Sequence, residues 1–131
     1  MGFSIFGSEK VIDFLGYWPK FCDAKLNAFC FNNDDNECSV RVKIFYIDSD
    51  SMKSVLVEII FGDVSDLALN DVLSENVLDE LVIDSRNVAA SSKYKITLDS
   101  CYGVHGNFSC RTVKVVAAQC KMWNGNDGAR E

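Results

Sequence analysis

The only histidine, His105, lies in Tyr102-Gly103-Val104-His105-Gly106, with Cys101 and Asp99 just before it. A cysteine, a histidine and an aspartate are the parts of a nucleophile, its base and the group that orients the base. That chemistry needs the ring held still, and a turn flanked by glycines leaves it in water. The cysteines at 22, 30, 38, 101, 110 and 120 raise the question of zinc. No C-x2-C pair occurs and no second histidine stands near, so the spacing favours free thiols that pack as small hydrophobes over a four-thiolate site. Asn33-Asp34-Asp35-Asn36-Glu37 is acidic but lacks the twelve-residue calcium loop with its central glycine and terminal glutamate. A paired acid and base of the glycosidase kind requires a geometry that surface carboxylates do not announce. No phosphate loop or dinucleotide fingerprint is present, and no cofactor is expected. These residues point to binding rather than catalysis. The competing reading is a small β-barrel enzyme or ligand-binding protein with a site near His105 and the acids around it.

The partner implied by charge is not nucleic acid or an anionic membrane. The chain carries a net charge of -6, whereas both of those partners require clustered Lys and Arg to displace counterions. The acids are concentrated. Between Lys53 and Arg86 there is no basic residue, and Glu58, Asp63, Asp66, Asp71, Glu75, Asp79, Glu80 and Asp84 all fall in that window. They are the candidate surface for a protein partner, because carboxylates steer a basic surface into contact. The same acids would also serve as a solvated face that keeps the chain soluble.

The elements that must position these residues read as mostly β. At 131 residues, with 48% hydrophobic and 24% charged residues, the chain is long enough for one core and far from a disordered composition. Ser8, Glu9, then Val11, Ile12, Phe14, Leu15 and Gly16 give a capped short helix ended before Pro19. After it the period is two. Ala24 to Phe31 is a strand, Asn32 to Asn36 a turn, and Cys38, Val40, Val42, Ile44 and Tyr46 share one face of the next strand. Val55, Val57, Ile59 and Phe61 make a third, completing a meander. Leu67 and Leu69 mark a fourth. Val77 to Ile83 is a fifth, with Val77, Leu81 and Ile83 on one side and Glu80 and Asp84 on the other. Asn87 to Lys93 is a loop, and Tyr94, Ile96 and Leu98 form a sixth strand. Phe108 and Cys110 followed by Val113, Val115 and Ala117 form a long last strand, whose phase shift near Arg111 fits a bulge.

Seven or eight strands with one N-terminal helix, on the margin of α+β, imply a single antiparallel sandwich or partly open barrel over residues 1–123. Residues 124–131, glycine-rich and polar, are expected to fray, with Trp123 a candidate exposed anchor or a lid on an open edge. MGFSIFGSEK has no basic n-region, long apolar run or cleavage site, so a cytoplasmic protein with reduced thiols is expected.

Gly16-Tyr17-Trp18-Pro19-Lys20-Phe21-Cys22-Asp23-Ala24-Lys25-Leu26 resembles the opening of the immunity protein 50 family of bacterial polymorphic toxin systems. Phe61-Gly62-Asp63-Val64-Ser65-Asp66-Leu67-Ala68-Leu69, with Asn76-Val77-Leu78 after it, is similar to the family's acidic, leucine-rich stretch. Ser100-Cys101-Tyr102-Gly103-Val104-His105-Gly106-Asn107-Phe108-Ser109-Cys110 is similar to its C-terminal Tyr-Gly turn and Phe-containing strand. Carried onto this chain, the matching motif residues are Trp18, Pro19, Phe21, Asp23, Tyr102, Gly103, Gly106 and Phe108, read as structural. Cys22 stands where the family usually has histidine. The resemblance implies a cytosolic antidote that binds 1:1 to a toxin domain encoded beside it, as in contact-dependent growth inhibition. Many such toxins are nucleases with basic active sites, to which an acidic inhibitor is complementary.

Overall fold

The computed structural model describes residues 5–34, 37–85 and 93–122. All but the last residue of the expected loop from Asn87 to Lys93 lies outside them, as do the tail and Trp123. The protein is mostly β: one helix, α1 (Glu9–Leu15), precedes β1 (Lys25–Asn33), β2 (Cys38–Asp48), β3 (Lys53–Gly62), β4 (Ser65–Asn70), β5 (Val77–Asp84), β6 (Tyr94–Tyr102), β7 (His105–Cys110) and β8 (Thr112–Met122). All eight strands form one open antiparallel sheet in the order β4-β7-β6-β5-β1-β2-β3-β8.

Alternation decides which side becomes core. Val40, Val42 and Ile44 of β2 face inward with Val55, Val57, Ile59 and Phe61 of β3, Ile96 and Leu98 of β6, and Phe108 and Cys110 of β7. A flat sheet would leave that face wet, so the sheet curls. The rings of Phe61 and Phe108 meet edge to face at 5.2 Å although β3 and β7 lie near opposite ends of the strand order. Fully burying each such side chain contributes roughly 1.5–3 kcal/mol.

The curl is fixed at one corner. β3 passes into β4 through Asp63 and Val64, and β7 into β8 through Arg111. The ladder from Lys53↔Met122 to Gly62↔Thr112 therefore continues as Ser65↔Ser109 to Asn70↔His105, as two bent strands side by side. The Arg111 amide donates to the Gly62 carbonyl at 2.9 Å, and that of Val64 to the Cys38 carbonyl at 2.8 Å. The phase shift expected as a bulge at Arg111 is thus a corner between two strands. The bulge lies further on, where Glu58 pairs with Ala117 and Ile59 with Val115. It makes Ala118, opposite buried Val57, the residue that packs on the core, in place of the expected Ala117. Register shifts around Leu78 do the same in β5: Leu78 is fully buried, and Val77 only partly.

The helix ends as expected, with Gly16 left-handed at φ 91° and its amide donating to the Ile12 carbonyl at 2.7 Å. Ser8 holds the N-cap position, but its side chain makes no cap bond. Four of the cysteines depart from the buried packing expected of them: Cys110 is buried and Cys38 packs against the core, but Cys22, Cys30, Cys101 and Cys120 are exposed.

The sheet's two halves meet at β1 and β5, which share a single register pair, Lys25↔Val77. The junction is held instead by discrete bonds: Asp23 N–H to Leu78 C=O at 2.8 Å, Leu78 N–H to Ala24 C=O at 2.8 Å, and Leu26 N–H to Asn76 C=O at 3.0 Å. The buried Asn76 side chain makes three further bonds within the β5 half, which hold in place the residue whose carbonyl meets β1. Its Oδ1 accepts from Leu73 N–H (3.1 Å) and Val104 N–H (2.9 Å), and its Nδ2 donates to the Leu73 carbonyl (2.9 Å). Gly103, at φ 90°, is needed beside it, since a Cβ there would sit 2.3 Å from Asn76 Oδ1. Replacing Asn76 with Ala orphans the buried Val104 amide and loosens the loop at Leu73. We expect a loss of roughly 2–3 kcal/mol, read as a lower urea midpoint, since each buried unpaired group costs about 1–3 kcal/mol. An unchanged midpoint would show that the junction does not depend on this side chain.

Candidate functional site

The turn that opens the site is made by residues forced to be there. Pro19 ends any helical continuation, and Phe21 and Asp23 both take left-handed backbone, at φ 65° and 63°. That geometry is costly for a phenylalanine. It is held by packing: the Phe21 ring is fully buried, edge to face with Trp18 at 5.5 Å and with Tyr46 at 5.8 Å. Backbone bonds fasten the turn to β5, with Leu81 N–H donating to Lys20 C=O at 2.9 Å. Once Phe21 and Ala24 are inside, Cys22 and Asp23 must point out.

Across from this turn, the β2–β3 hairpin supplies a second wall. Between them lies an open groove of about 850 Å³, lined by Cys22, Asp23, Lys25 and Asn27 on one side and by residues 45–50 on the other. Phe45, Tyr46 and Ile47 give it apolar surface, and Asp23, Asp48 and Asp50 give it charge. The one lysine in the lining, Lys25, lies 3.6 Å from Glu75.

Asp48 is positioned by phenols. The Tyr17 hydroxyl donates to its Oδ2 at 2.9 Å and lies 2.9 Å from the Tyr46 hydroxyl, so proton counting makes Tyr46 the donor to Tyr17. The Asp50 amide donates to Asp48 Oδ1 at 3.2 Å. The Tyr17 bond above all holds the Asp48 carboxyl below its ordinary pKa, helped by Ser51 and the Asp50 amide. Tyr17 itself is pushed well above the usual phenol range, first by burial and then by its bonds to Tyr46 and Asp48.

Two exposed thiols share the carboxylate field. The Cys101 sulfur faces Asp23 Oδ1 at 3.8 Å, the Leu78 carbonyl at 3.8 Å and Asp79 Oδ1 at 4.0 Å. The Cys22 thiol is raised chiefly by the charge of Asp23, then by desolvation and by Asp79 and Glu80. Desolvation raises the Cys101 thiol most, with Asp79 and Asp23 adding to it. Both are thereby kept protonated and poorly nucleophilic near neutrality. No group of three or more potential metal ligands occurs among the described residues.

The acids of the window from Glu58 to Asp84 are spread over β3, β4, β5 and the segments between them. Asp79 and Glu80 of β5 act on the groove's turn through Cys22, and Glu75 reaches it through Lys25. Glu58, mostly covered, pairs with Arg41 at 2.8 Å, and Asp63 lies 3.8 Å from Arg111 at the corner. Asp66 stands on the edge strand β4 at φ 56°, and Asp84 ends β5. Asp71 lies 3.8 Å from His105 Nδ1, which is also 3.4 Å from the Gly103 carbonyl. His105 and Cys101 thus have separate partners, and the Cys101–His105–Asp99 arrangement is not assembled by any of these contacts.

The motif residues divide as well. Pro19, Phe21 and Phe108 are buried, Trp18 packs against the core, and Gly103 and Gly106 occupy positions where a Cβ would strike Asn76 and the Ala68 carbonyl. Asp23 and Tyr102 are exposed. Tyr17, Phe45, Ile47, Asp48 and Asp50 were not singled out as site residues by sequence. The available signal is Tyr17's place in the motif.

Tyr17→Phe should raise the Asp48 pKa toward the ordinary carboxylate value in an NMR titration. A carboxyl depressed in the fold contributes stability above its unfolded pKa that is lost as pH falls through the folded one. The variant's deficit is therefore largest near neutrality and closes in acid; an unmoved titration would sever the link. Asp23→Asn, which keeps a residue tolerant of left-handed backbone, should accelerate iodoacetamide labelling of Cys22 at pH 8, whereas an equal rate would mean that the Asp23 charge does not protect the thiol.

A family model described as Immunity protein 50 matches residues 7–120, which is most of the chain. No curated protein and no solved structure gives a significant match.

Proposed function

The chain belongs to the immunity protein 50 family, and on that premise we propose that it is an antidote that binds a cognate bacterial toxin domain 1:1 and neutralises it by occlusion. The observation that carries this reading is the match over residues 7–120. The groove supports it with a mechanism. Three carboxylates, Asp23, Asp48 and Asp50, stand beside the aromatic and aliphatic surface of Phe45, Tyr46 and Ile47. Protein interfaces concentrate their energy in such apolar anchors ringed by polar groups.

The toxin face that suits this surface is basic, as a nuclease active site is where it holds phosphates. Carboxylates raise the encounter rate with such a face and penalise acidic competitors. Asp79 and Glu80 extend the negative field along β5. Glu58 and Asp63, already facing Arg41 and Arg111, contribute less. Depressing the Asp48 pKa keeps that carboxylate charged in mildly acidic conditions. The site of action is the cytoplasm, where the thiols stay reduced.

The test is to express the C-terminal domain of the adjacently encoded toxin with and without this chain and then titrate the purified pair. Growth should be restored, and binding should weaken as salt rises from about 0.05 to 0.5 M, because exposed charges are screened beyond roughly a Debye length. An Asp50→Lys/Asp79→Lys double variant should bind roughly tenfold to a hundredfold more weakly, mostly through slower association. Protection with salt-independent, variant-independent binding would retain the antidote role and reject the acidic surface.

A further inference from the structure

Between β4 and β5 the residues from Asp71 to Glu75 are all exposed, and two of them are apolar: Val72 at 60% and Leu73 at 46%. A single exposed leucine needs no explanation. These two, however, lie in a loop that is held unusually firmly. Both backbone groups of Leu73 are taken by the buried Asn76 side chain, which also binds the Val104 amide. Val72 follows Asp71, which is itself left-handed at φ 57° and lies 3.8 Å from His105. The loop is therefore tied at its Leu73 end, through Asn76, to the Val104 amide. Beside it stands Tyr102, 56% exposed.

Tyr102 shares a row with residues of the groove, and the backbone of Gly103 after it abuts Glu75 and Asn76 at the end of the loop. Cross-strand partners place their side chains on the same face of a sheet. The pairs Phe45↔Lys25, Lys25↔Val77 and Val77↔Tyr102 make one row across β2, β1, β5 and β6. Its first two members line the groove and its last is Tyr102. Asp71 flanks the loop with negative charge, and Glu75, 3.6 Å from Lys25, adds less. A rigid apolar projection loses little conformational entropy on binding, which is what distinguishes an anchor from a floppy loop.

We infer that the Val72–Leu73 loop with Tyr102 is the apolar anchor by which this protein docks its toxin, seating in an apolar cleft of the toxin rimmed by Lys and Arg. The inference rests on the toxin-binding reading and deepens it. The flanking acids meet the basic rim, Tyr102 supplies a stiff amphipathic ring of the kind favoured at interface centres, and the aliphatic pair fills the cleft. Binding here leaves the groove's carboxylates facing the same partner.

The experiment uses the full chain and the purified C-terminal domain of the adjacently encoded toxin. Val72→Ser/Leu73→Ser and, separately, Tyr102→Ser alter exposed side chains, and equal urea midpoints would verify that folding is intact. Each variant should weaken binding at least about tenfold, and the double variant about a hundredfold, chiefly through faster dissociation and with the salt dependence preserved. Wild-type binding left unchanged by all three substitutions would overturn the anchor while leaving the antidote reading in place. Failure of the wild-type chain to bind would overturn both. Concentration-dependent self-association in sedimentation that the serine variants abolish would overturn the inference by assigning these side chains to a contact between copies of this chain.

Discussion

The junction between β1 and β5 is where the fold is thinnest and where the remaining geometry is decided. The other neighbouring strands share ladders of four or more register pairs, but here one register pair and a few backbone bonds join the two halves of the sheet. A seam so narrow has to be reinforced from outside the ladder. The reinforcement is Asn76, whose carbonyl accepts from β1 while its side chain binds the preceding loop and the turn after β6. A buried amide that satisfies three backbone groups at once acts as a pin, because removing it leaves those groups unpaired in a place water reaches poorly. Gly103 is part of the same pin, since a larger residue would occupy the space of Asn76 Oδ1.

The surface features of interest all border that seam. Phe21 is driven inward under Trp18 and Tyr46, which turns Cys22 and Asp23 outward. The hairpin opposite brings Asp48 and Asp50, and the pinned loop brings Val72 and Leu73. Folding and recognition thus draw on the same contacts: the bonds that hold the two half-sheets together also fix the spacing between acids and apolar side chains. A surface held in this way needs little reorganisation to bind, which lowers the entropic cost of association.

The electrostatics are local rather than global. A net charge of -6 spread evenly would steer any basic partner weakly. Arg41 and Arg111 offset the acids of β3 and the corner, whereas Asp23 above all raises the Cys22 thiol, and desolvation, with Asp79 and Asp23 adding to it, raises Cys101. The carboxylates of Asp23, Asp48 and Asp50 stand beside the groove's aromatic surface. Charge and desolvation together favour the protonated, less nucleophilic thiols, which suits side chains exposed at a binding surface.

Much of this was written in the order of residues. The alternation in β2, β3, β6 and β7 specified strands and their inner faces because a period of two leaves only one way to bury Val, Ile and Phe. Gly16 and Pro19 marked the end of the helix for equally local reasons, and the three motif segments identified the family. Alternation could not foresee the bulges at Leu78 and in β8, nor the corner at Arg111, since each depends on a partner strand's register. The site was less legible still. Asp23 and Tyr102 stood out within motifs, and Asp79 and Glu80 within an acidic run, but nothing local linked them to Asp48 or Leu73. Composition and periodicity determined that this chain would be an acidic, mostly β protein with its apolar residues on one face. Only the tertiary structure decided which acids gather, because side chains distant in sequence become neighbours through the curl of the sheet and the pinning of its seam.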